Sequence, residues 1–305
     1  MRFLVVGAGA TGGYFGGRLA QAGRDVTFLV RPGRAAQLRS AGLQIRSPSG
    51  DATITPKLAA AGAIGGTYDM VLLSVKAFAL DSAMDDLAPA VGPGTVILPV
   101  LNGMRHMDVL ADRFGAGAVV GCACKIAAQL DADGSVVELS NFHELSYGEM
   151  DGTPSDRMQA LDAQMQGAGF DAKLTPMIAR EMWEKWILLS ALGSIGALMR
   201  GTVGEVAAAP GGTAFVHALL GEIVSTVRAV GVPPSEPFLA YARNFLTSPG
   251  SAMTSSMYRD LQAGSRIEAD QIVGDMVARA QRAGVATPLL AASYVNLSVY
   301  QARLG

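Results

Sequence analysis

Lys185 stands in the segment REMWEKWILLSALGSIGALM, which is apolar on almost every face downstream of the lysine. Helices of that kind are usually buried, and burying an unpaired ammonium costs several kcal/mol. A lysine held there is therefore either paired, with Glu181 and Glu184 in reach, or placed to give a proton to a reacting oxygen. Two more polar residues follow apolar runs: Lys76 after DMVLLSV, and Asn102 in TVILPVLNG. Open α/β sheets bind ligands at the carboxyl ends of their strands, where these two residues fall. Further on, Ser256 lies in SSMYRDL and Glu268 in SRIEADQIVGDM. Thr254, Ser255 and Ser256 also suit a helix N-cap, and helical spacing puts Glu268 and Ile272 on one face.

The amino terminus carries a second kind of chemistry. Gly7, Ala8, Gly9, Ala10, Thr11 and Gly12 read GAGATG, between an apolar run and a helical pattern. GxGxxG is a weak signal alone, but here it has the required strand–loop–helix context. Gly7 permits the tight turn, Gly9 lets backbone approach a pyrophosphate, and Gly12 lets the helix pack on the strand. The helix amino terminus favours the anion. An NAD or FAD site places an acid about 20 residues on; here the chain reaches Val30 and Arg31, with Arg34 close behind and no acid between Asp25 and Asp51. An arginine there suits a 2′-phosphate, so the spacing favours NADP over NAD. The alternative for Arg31 is a solvated loop charge.

These residues need elements to hold them. Phe3–Val6, Val26–Val30, Asp69–Val75 and Thr95–Leu98 are apolar runs that fit parallel strands covered on both faces. Helical patterns lie between them at Thr11–Ala22, Arg34–Ala41, Phe78–Leu87 and Arg105–Arg113. The alternation predicts an α/β fold with an N-terminal Rossmann-type doubly wound parallel sheet. Strand-like stretches at Val136–Leu139 and His143–Tyr147 predict an antiparallel extension. After Pro176 the strand signals vanish. Met177–Met199, Gly212–Val230, Glu236–Leu246, Arg266–Ala283 and Pro288–Leu304 read as helices, punctuated by prolines. The expected organisation is a Rossmann domain over 1–175 and an all-helical domain over 176–305.

Composition excludes other classes. Half of the 305 residues are hydrophobic and 16% are charged, the reverse of a disordered chain. Lys and Arg number 24 against 26 Asp and Glu, which leaves no electrostatic footprint for nucleic acid. The longest nearly apolar stretch, Trp186–Met199, is short of the roughly 20 residues of a spanning helix. No signal-peptide pattern opens the sequence. Cys122 and Cys124 are the only cysteines; with no further ligands they make no zinc site, and they read as reduced residues of a cytoplasmic protein. His106, His143 and His217 sit in unrelated contexts. No metal is expected.

Taken in order, GAGATG, SVKA around Lys76, LNGM around Asn102, WEKW around Lys185, SSMYRDL and RIEAD resemble the ketopantoate reductase family (2-dehydropantoate 2-reductases). The resemblance spans nearly the whole chain. It implies a Rossmann domain, a helical domain, a substrate cleft between them, NADPH as hydride donor and a 2-keto acid as acceptor, within pantothenate biosynthesis where that acid is ketopantoate. It implies that Gly7 to Gly12 hold the pyrophosphate and Arg31 the 2′-phosphate. Lys76, Asn102, Ala127 and Glu268 contact the cofactor on that reading, Ala127 through its backbone near the nicotinamide. Asn102 and Ser256 bind substrate, and Lys185 is the general acid. The family usually has asparagines at positions that here are Leu189, Gly193 and Val203. Ser190 and Ser194 are the polar residues close enough in sequence to compensate.

Two other readings differ in class. A 3-hydroxy acid dehydrogenase also joins a Rossmann to a helical domain and uses a lysine, but SSMYRDL and RIEAD argue against it. A non-enzymatic NADP-sensing regulator would bind NADPH without turnover. The helical half is apolar enough to hold a homodimer interface.

Overall fold

The computed structural model describes residues 1–304. In chain order the strands and helices begin with β1 (Arg2–Val6), α1 (Ala10–Gln21), β2 (Asp25–Leu29), α2 (Pro32–Ala41), β3 (Leu43–Arg46), β4 (Ala52–Ile54) and β5 (Lys57–Ala59). β6 (Met70–Leu73), α3 (Leu80–Leu87), β7 (Val96–Pro99), α4 (Arg105–Phe114), β8 (Gly121–Leu130), β9 (Val136–Gly148), α5 (Asp156–Met165) and β10 (Asp171–Leu174) follow. The rest is helical: α6 (Ile178–Met199), α7 (Val203–Ala208), α8 (Gly212–Val230), α9 (Glu236–Leu246), α10 (Ser256–Gln262), α11 (Asp275–Arg282) and α12 (Pro288–Ala302).

Contacts divide the chain into two units, Met1–Leu101 with His106–Ala179, and Asn102–Arg105 with Arg180 onward. The division falls inside α6 and not ahead of it. Ile178, fully buried, belongs to the first unit because it fills the space over Gly121 and Gly148.

In the first unit a five-stranded parallel sheet has the order β5-β2-β1-β6-β7. Its central strands are buried on both faces, Phe3–Val6 and Met70–Leu73 without exception, which is why they read as unbroken apolar runs. Strand order reverses on either side of β1, so the β1–α1 loop sits at the topological switch point. A second sheet, of order β10-β9-β3-β4 with β8 on β9, covers the other side of α1. The expected antiparallel extension is present in the β8–β9 pair, but β9 also pairs in parallel with β3 and β10; it is one strand across residues 140–142, where a break was expected, and residues 139–142 leave the β8 ladder. A Cβ at Gly16 would press on Phe28 and Val5, and one at Gly13 on Val136. Glycine on two faces of α1 thus lets one helix pack closely against both sheets.

The second unit contains no strand among its described residues. Its central helix, α8, buries Val216, Leu219, Leu220, Ile223, Val224 and Val227, an i, i+3, i+4, i+7 stripe. This helix stands where the sequence pattern places it, and by length and composition it is apolar enough to cross a membrane, with mean hydropathy 1.3. Its Glu222 has internal partners, accepting from the Leu289 and Leu290 amides at 3.1 and 2.9 Å and so capping α12. The helix expected over Arg266–Ala283 starts later, at Ala269, with a π turn over Asp270–Gly274 leading into α11.

Candidate active site

The glycine loop is built by close approach. Gly7, at φ +93°, donates its amide to Leu29 O at 3.0 Å, and a Cβ there would stand 2.6 Å from Ser74 O at the end of β6. A Cβ at Gly12 would drive into the Gly7 carbonyl and the Ser74 side chain. Gly9 differs: its Cβ would meet no protein atom within 4 Å, while its carbonyl accepts the first helical bond from Gly13 at 2.8 Å. Two glycines are thus required by the fold, and one presents bare backbone at the amino terminus of α1. That cradle fits a phosphate group, with helix N–H groups as donors.

Around the loop, Arg31 is exposed at the N-cap of α2. Arg34, one turn later, is half-buried and donates from Nε to the Ala8 carbonyl at 2.9 Å and from Nη1 to Gly134 O at 2.9 Å. Its acceptors are neutral, and burial pushes the guanidinium below its ordinary value. The tie of Arg34 to the loop has no signal in sequence spacing. Lys76 is exposed beyond β6, at the start of a short 3₁₀ turn. Ala127 is half-buried on β8 where the ladder with β9 shifts register.

The remaining predicted residues lie in the second unit, and several are drawn together. The Asn102 carbonyl accepts from Gln271 Nε2 at 2.9 Å, and Gly103, at φ +80°, has no room for a side chain against Gln271 O. Glu268 is 9% exposed, and its carbonyl accepts from the Ile272 amide at 3.0 Å. Ile272 O in turn takes both the Trp186 indole N–H and the Ser190 hydroxyl, each at 2.9 Å. The π turn therefore joins Asn102, Glu268 and α6 through Gln271, which sequence reading missed, and Ile272, which it placed on one face with Glu268 but gave no role. Such turns recur at functional sites.

Lys185 is half-buried on α6 and pairs with neither neighbouring carboxylate. Glu184 is engaged elsewhere, accepting the Ser235 amide and hydroxyl at 2.8 Å each. Ser256 is the exposed first residue of α10, whereas the capping role belongs to Ser255, which accepts the Tyr258 amide at 3.0 Å. Leu189 is half-buried, Val203 is buried, and the space at Gly193 is filled by Met257. Ser190 is spent on Ile272 O, while the Ser194 hydroxyl is fully buried and has no hydrogen-bond partner among the described residues.

Comparison with known proteins matches the chain over residues 3–152 to the family described as ketopantoate reductase PanE/ApbA. Residues 177–301 match its carboxyl-terminal counterpart. A relative in Bacillus subtilis (strain 168), named uncharacterized oxidoreductase YkpB, is 36% identical, covering 99% of each chain. The crystal structure of 2-dehydropantoate 2-reductase from Geobacter metallireducens GS-15 superposes with a TM-score of 0.88 at 27% identity, over 98% of this chain and 99% of that one. D-mandelate dehydrogenase with NADH and anilino(oxo)acetate shares the fold, at TM-score 0.87 and 19% identity over 100% and 99% of the two chains. With both halves matched in order and relatives alike over nearly their whole length, the chain belongs to the ketopantoate reductase family of oxidoreductases.

Proposed function

We propose that this chain is an NADPH-dependent reductase of a 2-keto acid, with 2-dehydropantoate the leading substrate, and that it works in the cytoplasm. Gly7 to Gly12 would hold the pyrophosphate and Arg31 the 2′-phosphate, with Lys76, Asn102, Ala127 and Glu268 as further cofactor contacts. When bound, the dihydronicotinamide supplies hydride to the carbonyl carbon. Lys185 Nζ first hydrogen-bonds the carbonyl oxygen, so its charge opposes the negative charge that develops there. It then gives that oxygen its proton. Ser256 and the Asn102 side chain orient the acid.

Lys185 carries this reading. It is half-buried on an apolar helix and its ammonium makes no ion pair or hydrogen bond among the described residues, its neighbour Glu184 being committed to Ser235. An ammonium so placed has its donors available to a substrate oxygen. The test is NADPH oxidation with ketopantoate beside a panel of 2-keto acids, for wild type and Lys185→Ala. Turnover is expected to fall about 100-fold or more in the variant, the usual contribution of a general acid, with NADPH binding retained. Oxidation of 3-hydroxy acids, or NADPH binding with no turnover at all, would replace this reading with a dehydrogenase or a regulator.

A second substrate has an observation in its favour. One and two turns from Lys185, α6 presents Leu189 and a Gly193 covered by Met257. An apolar wall at that place supports a 2-keto acid with an apolar side chain in place of hydroxylated ketopantoate.

A further inference from the structure

Tyr14, Glu138 and His143 meet in the first unit, and the proposed chemistry uses none of them. Glu138 is buried, with no side-chain exposure. Its Oε2 accepts from the Tyr14 hydroxyl at 2.9 Å and from the Ser47 hydroxyl at 2.5 Å. His143 Nδ1 lies 2.6 Å from the Tyr14 oxygen and 3.1 Å from Glu138 Oε1. Tyr14 has one proton, and Glu138 takes it. The network is complete only with a proton on Nδ1, donated to the tyrosine oxygen and facing the second carboxylate oxygen. Arg18 flanks the cluster, its guanidinium 5.2 Å from the Tyr14 ring centre and bonded to Gly50 O.

Sequence spacing alone would separate Glu138 from His143. Five positions apart on a regular strand, they would point to opposite faces. The ladder instead steps from Ala128↔Glu138 to Ile126↔His143, so residues 139–142 of β9 bulge out opposite Ala127. The bulge brings both side chains to the α1 side, and the residue it spans is the one proposed to contact the nicotinamide. Tyr14 lies in the second turn of α1, whose amino terminus carries the glycine loop.

We propose that Tyr14, Glu138 and His143 are a clamp that holds Ala127 at a fixed distance from the glycine loop and so sets affinity for the dinucleotide. They are positioning residues, and the inference rests on the cofactor sites proposed above. Burial and polar pairing make the clamp rigid: a carboxylate in this place cannot lose a partner without a desolvated charge being left behind.

The test uses the full chain, with NADPH and NADH dissociation constants and steady-state constants for Tyr14→Phe, His143→Leu and His143→Asn. Tyr14→Phe and His143→Leu are expected to weaken NADPH binding about 10-fold, the scale of one lost hydrogen bond. Their kcat at saturating NADPH and their KM for keto acid should stay within about 3-fold of wild type. His143→Asn places an amide N–H where Nδ1–H was and is expected to bind like wild type. Unchanged binding in both disruptive variants would overturn the clamp while leaving the proposed function standing. So would an asparagine variant as weak as the leucine one, or losses that only follow the unfolded fraction seen by circular dichroism. Wild type that binds neither dinucleotide would overturn the proposed function, and the clamp with it.

Discussion

The terminal methyl of Met257 lies 2.5 Å from the point where a Cβ on Gly193 would stand. One turn along α6, a Cβ on Gly196 would stand 2.9 Å from both Cβ and Cγ of Tyr258. Adjacent residues of α10 therefore press on two glycines of one helix, but with different compliance. A methionine end group swings aside at little cost, whereas a tyrosine Cβ is fixed to its backbone.

Gly193→Ala should thus leave stability within about 1 kcal/mol of wild type, since better helix propensity offsets the small shift of Met257. Gly196→Ala should lose about 1–3 kcal/mol by overpacking. Urea denaturation of both variants checks this. Equal losses would mean that α10 moves as a unit and that Met257 is no more yielding than Tyr258.

A parallel contrast separates the glycines of the amino-terminal loop. Gly12→Ala sets a methyl group against the backbone of Gly7 and should unfold or strongly destabilise the first unit. Gly9→Ala meets no protein atom within 4 Å and should melt like wild type. Its methyl group would occupy the phosphate cradle, so NADPH binding is expected to weaken by about 10-fold or more. Thermal melts beside dissociation constants distinguish the two; a Gly9→Ala variant with full NADPH affinity would deny the cradle its role.

Buried strands and long apolar helices were legible in the sequence because they form unbroken or regularly spaced apolar runs: β1, β2, β6, β7, α6, α8, α9 and α12 stand within two residues of where the pattern places them. β3, β4, β5 and β10 were not: each mixes polar or exposed residues with a few apolar ones, so no unbroken apolar run marks it. α7, six residues long, was too short to show, whereas the helix after Ser256 was signalled by its N-cap residues without bounds. The helix expected from Arg266 begins three residues later, at Ala269, because Arg266–Glu268 join the apolar pattern without taking helical backbone. Polar relays such as Gln271 to Asn102, or Arg34 to Ala8, join residues far apart in the chain and leave no trace in spacing.

Acid stability should depend on Glu149. It accepts Arg157 Nε and Nη2 at 2.6 and 2.5 Å and the Ser155 hydroxyl at 2.7 Å, so it also holds the N-cap residue of α5. The Arg157 guanidinium keeps this carboxyl below the usual range. A group depressed in the folded state contributes stability that is whole above its unfolded value, about 4.3, and is lost as pH falls through the lower folded value. Glu149→Gln is expected to lose about 1–3 kcal/mol at pH 7 and to show a shallower decline below about pH 4.5. A decline as steep as that of wild type would place the acid sensitivity elsewhere.

Arg31 and Arg34 stand one turn apart at the start of α2, yet the structure gives them different work. Arg31 is exposed and its side chain engages no residue among those described, so its guanidinium is available to a ligand. Arg34 is bound to the Ala8 and Gly134 carbonyls and so braces the loop from behind. Arg31→Ala should therefore weaken NADPH binding by about 10- to 100-fold, the value of a charge-assisted phosphate contact, and leave NADH binding unchanged. Arg34→Ala should weaken both, because the loop serves the pyrophosphate common to the two. Dissociation constants for both dinucleotides with both variants decide the matter. An Arg31→Ala chain with unaltered preference would remove the 2′-phosphate from that residue, and an Arg34→Ala chain that discriminates would assign it there instead.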